Sequence, residues 1–178
     1  DGSSRARRVR DVDCLPQYEE PTMLVSIKSI NATFRRIGVV LEPSGDLTEV
    51  EGVLNPGSVR TKNGELLLYP RCVAKGNESR IGIVRLTGKD EKTKAERLGF
   101  ALVPEMEDEL GGAVGNGCED ARVTYIPVLD KYIKAYTAYG KKGPKAALAW
   151  SDDAYKWTRL GLIKFPDYTE LPGGDKDV

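Results

Sequence analysis

Gly117-Cys118-Glu119-Asp120-Ala121-Arg122-Val123 sets two carboxylates and a guanidinium within four consecutive residues, ahead of a run that reads as two strands. A hairpin entrance requires no such cluster. Two chemistries fit it. In one, Arg122 pairs with a neighbouring acid and closes a turn, as exposed acid–arginine groups in loops commonly do. In the other, a carboxylic acid is poised by a nearby cation at the mouth of a rigid β scaffold, the setting a proton-donating group needs. Composition does not choose between these, so the elements around the cluster must.

Composition does exclude several classes. Lys plus Arg (27) balances Asp plus Glu (27), so no global field favours nucleic acid or a membrane surface. No run approaches the roughly 20 apolar residues that span a bilayer. Without histidine, a zinc or non-haem iron site and a Ser-His or Cys-His nucleophile are disfavoured, and no metal or cofactor is expected. Cys14, Cys72 and Cys118 are odd in number and widely spaced, offering neither a disulfide framework nor a CxxC pair. The first residues are polar and basic with no apolar core, so no secretory signal is read and a cytoplasmic protein with reduced thiols is expected. At 178 residues, 40% of them hydrophobic, the chain suffices for one domain with a real core.

Residues 1–21 carry Arg5, Arg7, Arg8 and Arg10 among Asp, Ser and Gly, and read as a basic, poorly ordered extension. The β portion is expected over 22–178. Met23, Val25 and Ile27 alternate with polar residues as in a strand, and Phe34–Leu41 is a second apolar run before a turn at Pro43-Ser44-Gly45-Asp46. A repeating unit follows. Asn55-Pro56-Gly57 leads to strands at Glu65–Tyr69 and Arg80–Leu86, separated by turns at Lys62-Asn63-Gly64 and Gly76-Asn77. Glu119-Asp120-Ala121-Arg122 leads in the same way to strands ending at Val128, at Tyr132–Tyr139 and at Lys145–Trp150, with an edge strand at Trp157–Gly161. Asn55 and Glu119, 64 residues apart, mark the repeat spacing. Short, evenly spaced strands with almost no helical periodicity mean an all-β fold, and repeated strand groups favour a propeller over a sandwich. In a propeller the polar entrances of successive units converge on one axial cavity, so Asn55, Arg71 and the Glu119–Arg122 cluster are expected to share a site.

Six segments together carry a family resemblance: Leu54-Asn55-Pro56-Gly57, Leu68-Tyr69-Pro70-Arg71, Gly76-Asn77-x-Ser79-Arg80-Ile81-Gly82, Gly117–Arg122, Tyr136-Thr137-Ala138-Tyr139 and Trp157-x-Arg159-Leu160-Gly161. In this order they resemble the amino-terminal half of the inverting β-mannoside phosphorylases, family 130 of the glycoside hydrolases. The resemblance runs from about Phe34 to the end and implies a partial five-bladed β-propeller, about the first half of the blades. It implies cleavage of a β-mannoside oligosaccharide with inorganic phosphate as co-substrate, giving α-mannose 1-phosphate, although some members hydrolyse instead. Asp120 matches the catalytic acid, Asn55 and Arg71 match residues that hold the mannosyl unit, and Glu119 and Arg122 complete that motif. Arg159 and Lys176 resemble phosphate-binding residues, and Lys145, beside Lys141 and Lys142, stands where a second phosphate arginine is expected. The family motif usually has Pro where Ala121 sits, and the chain stops at Val178, just where a further strand should begin. The expectation is a longer product, with a completing chain, a homo-oligomer or an inactive glycan-binding fragment as the other options.

Each residue also has a plainer role. Asn55 before Pro56 starts a turn, Arg71 ends a strand, Arg159 stacks on Trp157, and Lys176 is a solvated charge. Singly these roles would be preferred; the shared order reverses that for Asp120, Asn55 and Arg71.

Overall fold

The computed structural model describes residues 33–164, and all the elements below belong to the unit that runs from Arg36 onward. Two antiparallel meanders make up the fold. The first comprises β1 (Gly52–Arg60), β2 (Leu66–Ala74), β3 (Glu78–Thr87) and β4 (Lys94–Leu102). The second comprises β5 (Asn116–Ile126), β6 (Lys131–Gly140), β7 (Gly143–Ser151) and β8 (Thr158–Leu162). Each strand pairs with the next in its meander, and a short parallel ladder, Glu78 with Asn116 and Ser79 with Gly117, joins β3 to β5. The result is an all-β, open eight-stranded sheet, and no helix among the described residues is long and apolar enough to cross a membrane.

Local chemistry explains the breaks between strands. Gly64 (φ 84°), Gly76 (φ 81°), Asn77 (φ 57°) and Asp130 (φ 50°) occupy the left-handed region, which glycine enters freely and Asn and Asp tolerate. Pro70 lies inside β2, where a missing N–H would normally break a ladder. It falls in the gap between the pairs Gly57–Tyr69 and Leu54–Arg71, opposite a bulge in β1, so no ladder bond is lost to that neighbour.

The core draws on both meanders. Leu67, Tyr69, Ile81, Ile83 and Leu102 pack with Cys118, Ala121, Tyr132, Tyr136, Ala138, Ala147 and Ala149. Tyr69 donates its hydroxyl to the Ala154 carbonyl (2.7 Å) and meets Trp157 edge-on at 5.6 Å. At the centre β1 and β5 touch backbone to backbone: a Cβ on Gly57 would lie 2.2 Å from the Ala121 carbonyl oxygen. Only glycine permits that approach.

The structure corrects several boundaries. Arg71 lies within β2, because that strand continues through Pro70 to Ala74. Asn55-Pro56-Gly57 is part of β1, and β4, hidden in the charged run Lys94–Leu102, completes the first meander. The Phe34–Leu41 run forms no strand, since Phe34 and Val39 are largely exposed and no ladder partner lies alongside among the described residues. The edge strand near Trp157–Gly161 is present as β8. The expectations for residues 1–21 and for the Met23–Ile27 strand fall outside the described residues.

Candidate active site

Two bulges build the site. In β1 the register shifts between Leu54 and Gly57, and Asn55 takes φ 45°. In β5 it shifts between Glu119 and Arg122, and Asp120 takes φ 48°. The structural repeat thus aligns Asn55 with Asp120, one residue on from the Asn55–Glu119 correspondence expected from sequence. The cause is physical: the left-handed residue of each bulge is the one whose side chain turns out of the ladder.

The close packing of β1 on β5 brings these residues together across 65 positions of chain. Asn55 Nδ2 donates to Asp120 Oδ1 at 2.9 Å. Arg71, paired in register with Leu54 beside the first bulge, sends Nη2 to Glu119 Oε1 at 2.8 Å, and its Nη1 lies 3.9 Å from Asp120 Oδ1. The remaining donors of this buried guanidinium are directed by Ser79 and Asn77: Nε donates to Ser79 Oγ (2.9 Å) and Nη2 to Asn77 Oδ1 (2.9 Å). Glu119 is buried at 2% exposure, whereas Asn55 is exposed, so the cluster has a buried ionic floor and a polar opening. A buried arginine–carboxylate contact of this kind is tolerable because the ions are paired and the guanidinium is further hydrogen-bonded to Ser79 and Asn77.

Arg122 plays a different part. It is exposed, and its Nη1 donates to the carbonyls of Ala121 (2.9 Å) and Asp120 (3.3 Å), tying down the bulge backbone. The cation set against the two carboxylates is Arg71, from the other meander.

Of the phosphate-binding candidates, Arg159 reaches Cys118, the neighbour of Glu119 in β5, with Nη2 4.0 Å from its Sγ. Arg159 on β8 donates Nε to Glu109 Oε1 (2.8 Å), Nη2 to Glu109 Oε2 (3.0 Å) and to the Val103 carbonyl (2.5 Å), and Nη1 to Glu105 (3.0 Å). Burial pushes the Glu109 carboxyl up, but Arg159, the N–H groups of Glu105 and Met106 and the Tyr136 hydroxyl outweigh it and hold the group below its usual range. Lys145 is half-buried on β7, in register with Ala138, which in turn faces Cys118 of β5. Lys176 lies outside the described residues. Among the described residues no group of His, Cys, Asp and Glu is arranged to hold a metal ion.

Sequence reading missed Ser79 and Asn77 as partners of Arg71, and Glu109 as the partner of Arg159. Ser79 could have been found by pairing β2 with β3 about the Gly76-Asn77 turn. Glu109 carries no such signal, because it sits in a three-residue turn within a strongly acidic loop.

No family model and no curated protein matches the sequence. Solved structures do. A protein from Bacteroides ovatus, assigned as a glycoside hydrolase, matches with a TM-score of 0.58 and 23% identity, over 75% of this chain and 42% of its own. A structure from work on the family 130 mannoside phosphorylases, described as containing glycoside hydrolases that target β-1,2 mannosidic linkages in Candida mannan, matches at 0.52 and 21%, over 65% and 33%. The structural neighbours are glycoside hydrolases. A glycosyl hydrolase from Bacteroides ovatus is a third, at 0.50 and 25% identity, over 62% and 31%. The likeness is one of fold, and the chain spans about a third to two-fifths of the structures it matches.

Proposed function

We propose that the chain is the acid-bearing part of a glycosidase-type enzyme that cleaves β-mannosidic bonds by phosphorolysis, with inversion, to α-mannose 1-phosphate. The two meanders are then two blades of a five-bladed propeller, and the opening between β1 and β5 faces its axis. The observation that carries this reading is the convergence of Asn55, Arg71, Glu119 and Asp120 on one point from strands of both meanders. Fold likeness to glycoside hydrolases supports it, as does the order of motifs along the sequence. Because the chain spans less than half of each matched structure, the activity is proposed of the whole protein.

Glycosidic cleavage needs a proton for the leaving oxygen and a nucleophile on the opposite face of the ring. Phosphate is already anionic and needs no base, so one acid suffices. Asp120 takes that role, directly or through a sugar hydroxyl. Asn55, with one amide hydrogen on Asp120 and an exposed position, can hold both the acid and a substrate hydroxyl. Arg71 and Glu119 form the fixed ionic floor that orients them. Phosphate needs a cationic cradle, for which Lys145, Lys176 and Arg159 are the candidates.

One observation favours a second reading, hydrolysis on the same scaffold: the Arg159 guanidinium is already committed to Glu105, Glu109 and a carbonyl. Incubation with β-mannobiose, with and without phosphate, decides between them. Phosphorolysis predicts α-mannose 1-phosphate only when phosphate is present; free mannose at equal rates in both arms overturns it. Asp120→Asn tests the acid itself, with loss of about 10²- to 10⁴-fold in kcat expected for a general acid. Unchanged activity in that variant removes Asp120 from the mechanism.

A further inference from the structure

We propose that Asn77, in the β2–β3 turn, is the positioning residue that fixes Arg71 relative to Asp120, through the side-chain oxygen that accepts from its guanidinium, its bonds to Val114 and Asn116 anchoring the turn that carries it. The proposal rests on the reading of Asp120 as the acid, but it concerns a residue that reading does not use.

The guanidinium of Arg71 has a single rotation that matters here, about its last side-chain bonds. One acceptor cannot fix that rotation; two on different nitrogens can. Ser79 Oγ takes Nε and Asn77 Oδ1 takes Nη2, both at 2.9 Å, so the plane of the guanidinium is set from the β3 side. Only then do Nη2 and Nη1 present themselves to Glu119 and Asp120.

Asn77 does more than accept this bond. Its Nδ2 donates to the Val114 carbonyl (3.2 Å), its backbone carbonyl accepts from Asn116 N (3.2 Å), and its backbone N–H donates to Glu51 Oε2 (3.0 Å). Val114 and Asn116 flank the start of β5, the strand that carries Glu119 and Asp120 a few residues on. One side chain therefore holds the cation of one meander with its oxygen and the carboxylate-bearing strand of the other with its nitrogen. Residue type matters twice over. Position 77 has φ 57°, open to Gly, Asn and Asp, and of these only Asn supplies both an acceptor and a donor.

A turn residue with a purely structural role would affect stability without discriminating between its two side-chain ends. Two variants separate the roles. Asn77→Gly keeps the left-handed backbone and removes both ends; Asn77→Asp keeps the oxygen that Arg71 uses and loses the donor to Val114. In the protein assayed on β-mannobiose with phosphate, Asn77→Gly is expected to lower kcat about tenfold or more with KM little changed, since small misplacements of a catalytic constellation are costly. Asn77→Asp is expected to recover most of that loss, although both variants lose the bond to Val114. Thermal midpoints of both variants report the structural share. A kcat for Asn77→Gly equal to wild type, or an Asn77→Asp variant as slow as Asn77→Gly, overturns the proposal. Asp120→Asn is the reference arm: if it retains activity, the reading of the acid has failed, whereas an inactive Asp120→Asn beside a fully active Asn77→Gly refutes only the role of Asn77.

Discussion

Lys134 is the least expected side chain in the core, and replacing it by Met should stabilise the protein at neutral pH. It is fully buried on β6, and its Nζ has no hydrogen-bond partner among the described residues. The amine lies 3.8 Å from the centre of the Trp157 ring and 4.4 Å from that of Tyr69, with Arg159 and Cys118 as the charged or titratable groups that act on it. Two aromatic faces favour an ammonium by about 2 kcal/mol each when desolvated. Against them stand a desolvation cost of several kcal/mol and repulsion from Arg159, and no carboxylate of the described residues is among the groups that shift it. Burial wins, and the amine is driven well below its ordinary range toward the neutral form.

The pH dependence follows from proton counting. A lysine neutral when folded and protonated when unfolded makes the unfolded state bind one more proton, so stability rises with pH. The rise continues from the lowered folded-state pKa up to the unfolded value near 10.4, at no more than about 1.4 kcal/mol per pH unit. Lys134→Met keeps the volume of the stem, removes the unmet amine and abolishes this term. At pH 7 the variant should be the more stable by at least about 1–3 kcal/mol, the cost of a buried polar group without a partner. Between pH 7 and pH 9 that advantage should shrink by up to about 2.7 kcal/mol. Urea unfolding of both proteins at pH 7, 8 and 9 measures it. A variant less stable than wild type, with a gap that does not move with pH, would mean that the rings hold a charged ammonium and would refute the reasoning.

Two further perturbations test the packing. Glu109→Gln should cost about 3 kcal/mol, because Arg159 loses its buried counter-ion. It should also flatten the acid limb: a carboxyl held low contributes stability above its unfolded pKa of about 4.3 that is lost as pH falls through the folded value, so the gap between variant and wild type narrows at pH 4 in urea melts. Gly57→Ala places a methyl against the Ala121 carbonyl and must part β1 from β5, which should cost about 1–3 kcal/mol and lower activity by loosening the Asn55–Asp120 contact, read by thermal midpoint and kcat together.

How much of this was legible in the sequence depended on whether a local rule was in force. Turn chemistry was: Lys62-Asn63-Gly64 and Gly76-Asn77 lie between strands as their residue types imply, and Gly140 and Gly143 pair at the ends of β6 and β7 across the turn expected there. Alternation was a poorer guide at β6, where Tyr132, Lys134 and Tyr136 face inward while Ile133 and Ala135 do not reach full burial. A lysine on a buried face inverts the rule that apolar residues mark the core. The charged run of β4 hid a strand for the opposite reason, since five of its nine residues are exposed and leave no period to read. At the site, the order of motifs singled out Asn55, Arg71 and Asp120. That Arg71 rather than Arg122 faces the carboxylates depends on a contact between meanders, which no local spacing encodes.

The two bulges explain why the site tolerates its own strain and why Asp120→Asn is an informative test. A non-glycine residue in the left-handed region is costly unless it is Asn or Asp, whose short polar side chains are enriched there. The repeat places one of each at equivalent points, so an amide donor on β1 meets a carboxylate on β5 with the same backbone distortion on both sides. Alanine at 120 would change the backbone preference and the chemistry together. Asparagine keeps the left-handed preference and an oxygen for the Asn55 amide, and it removes the ability to gain and give a proton together with the negative charge that faces Arg71. A thermal midpoint close to wild type with activity lost would therefore assign the effect to proton transfer. Lost activity with a collapsed midpoint would instead show that the Arg71–Asp120 charge contact is needed to hold β1 and β5 together.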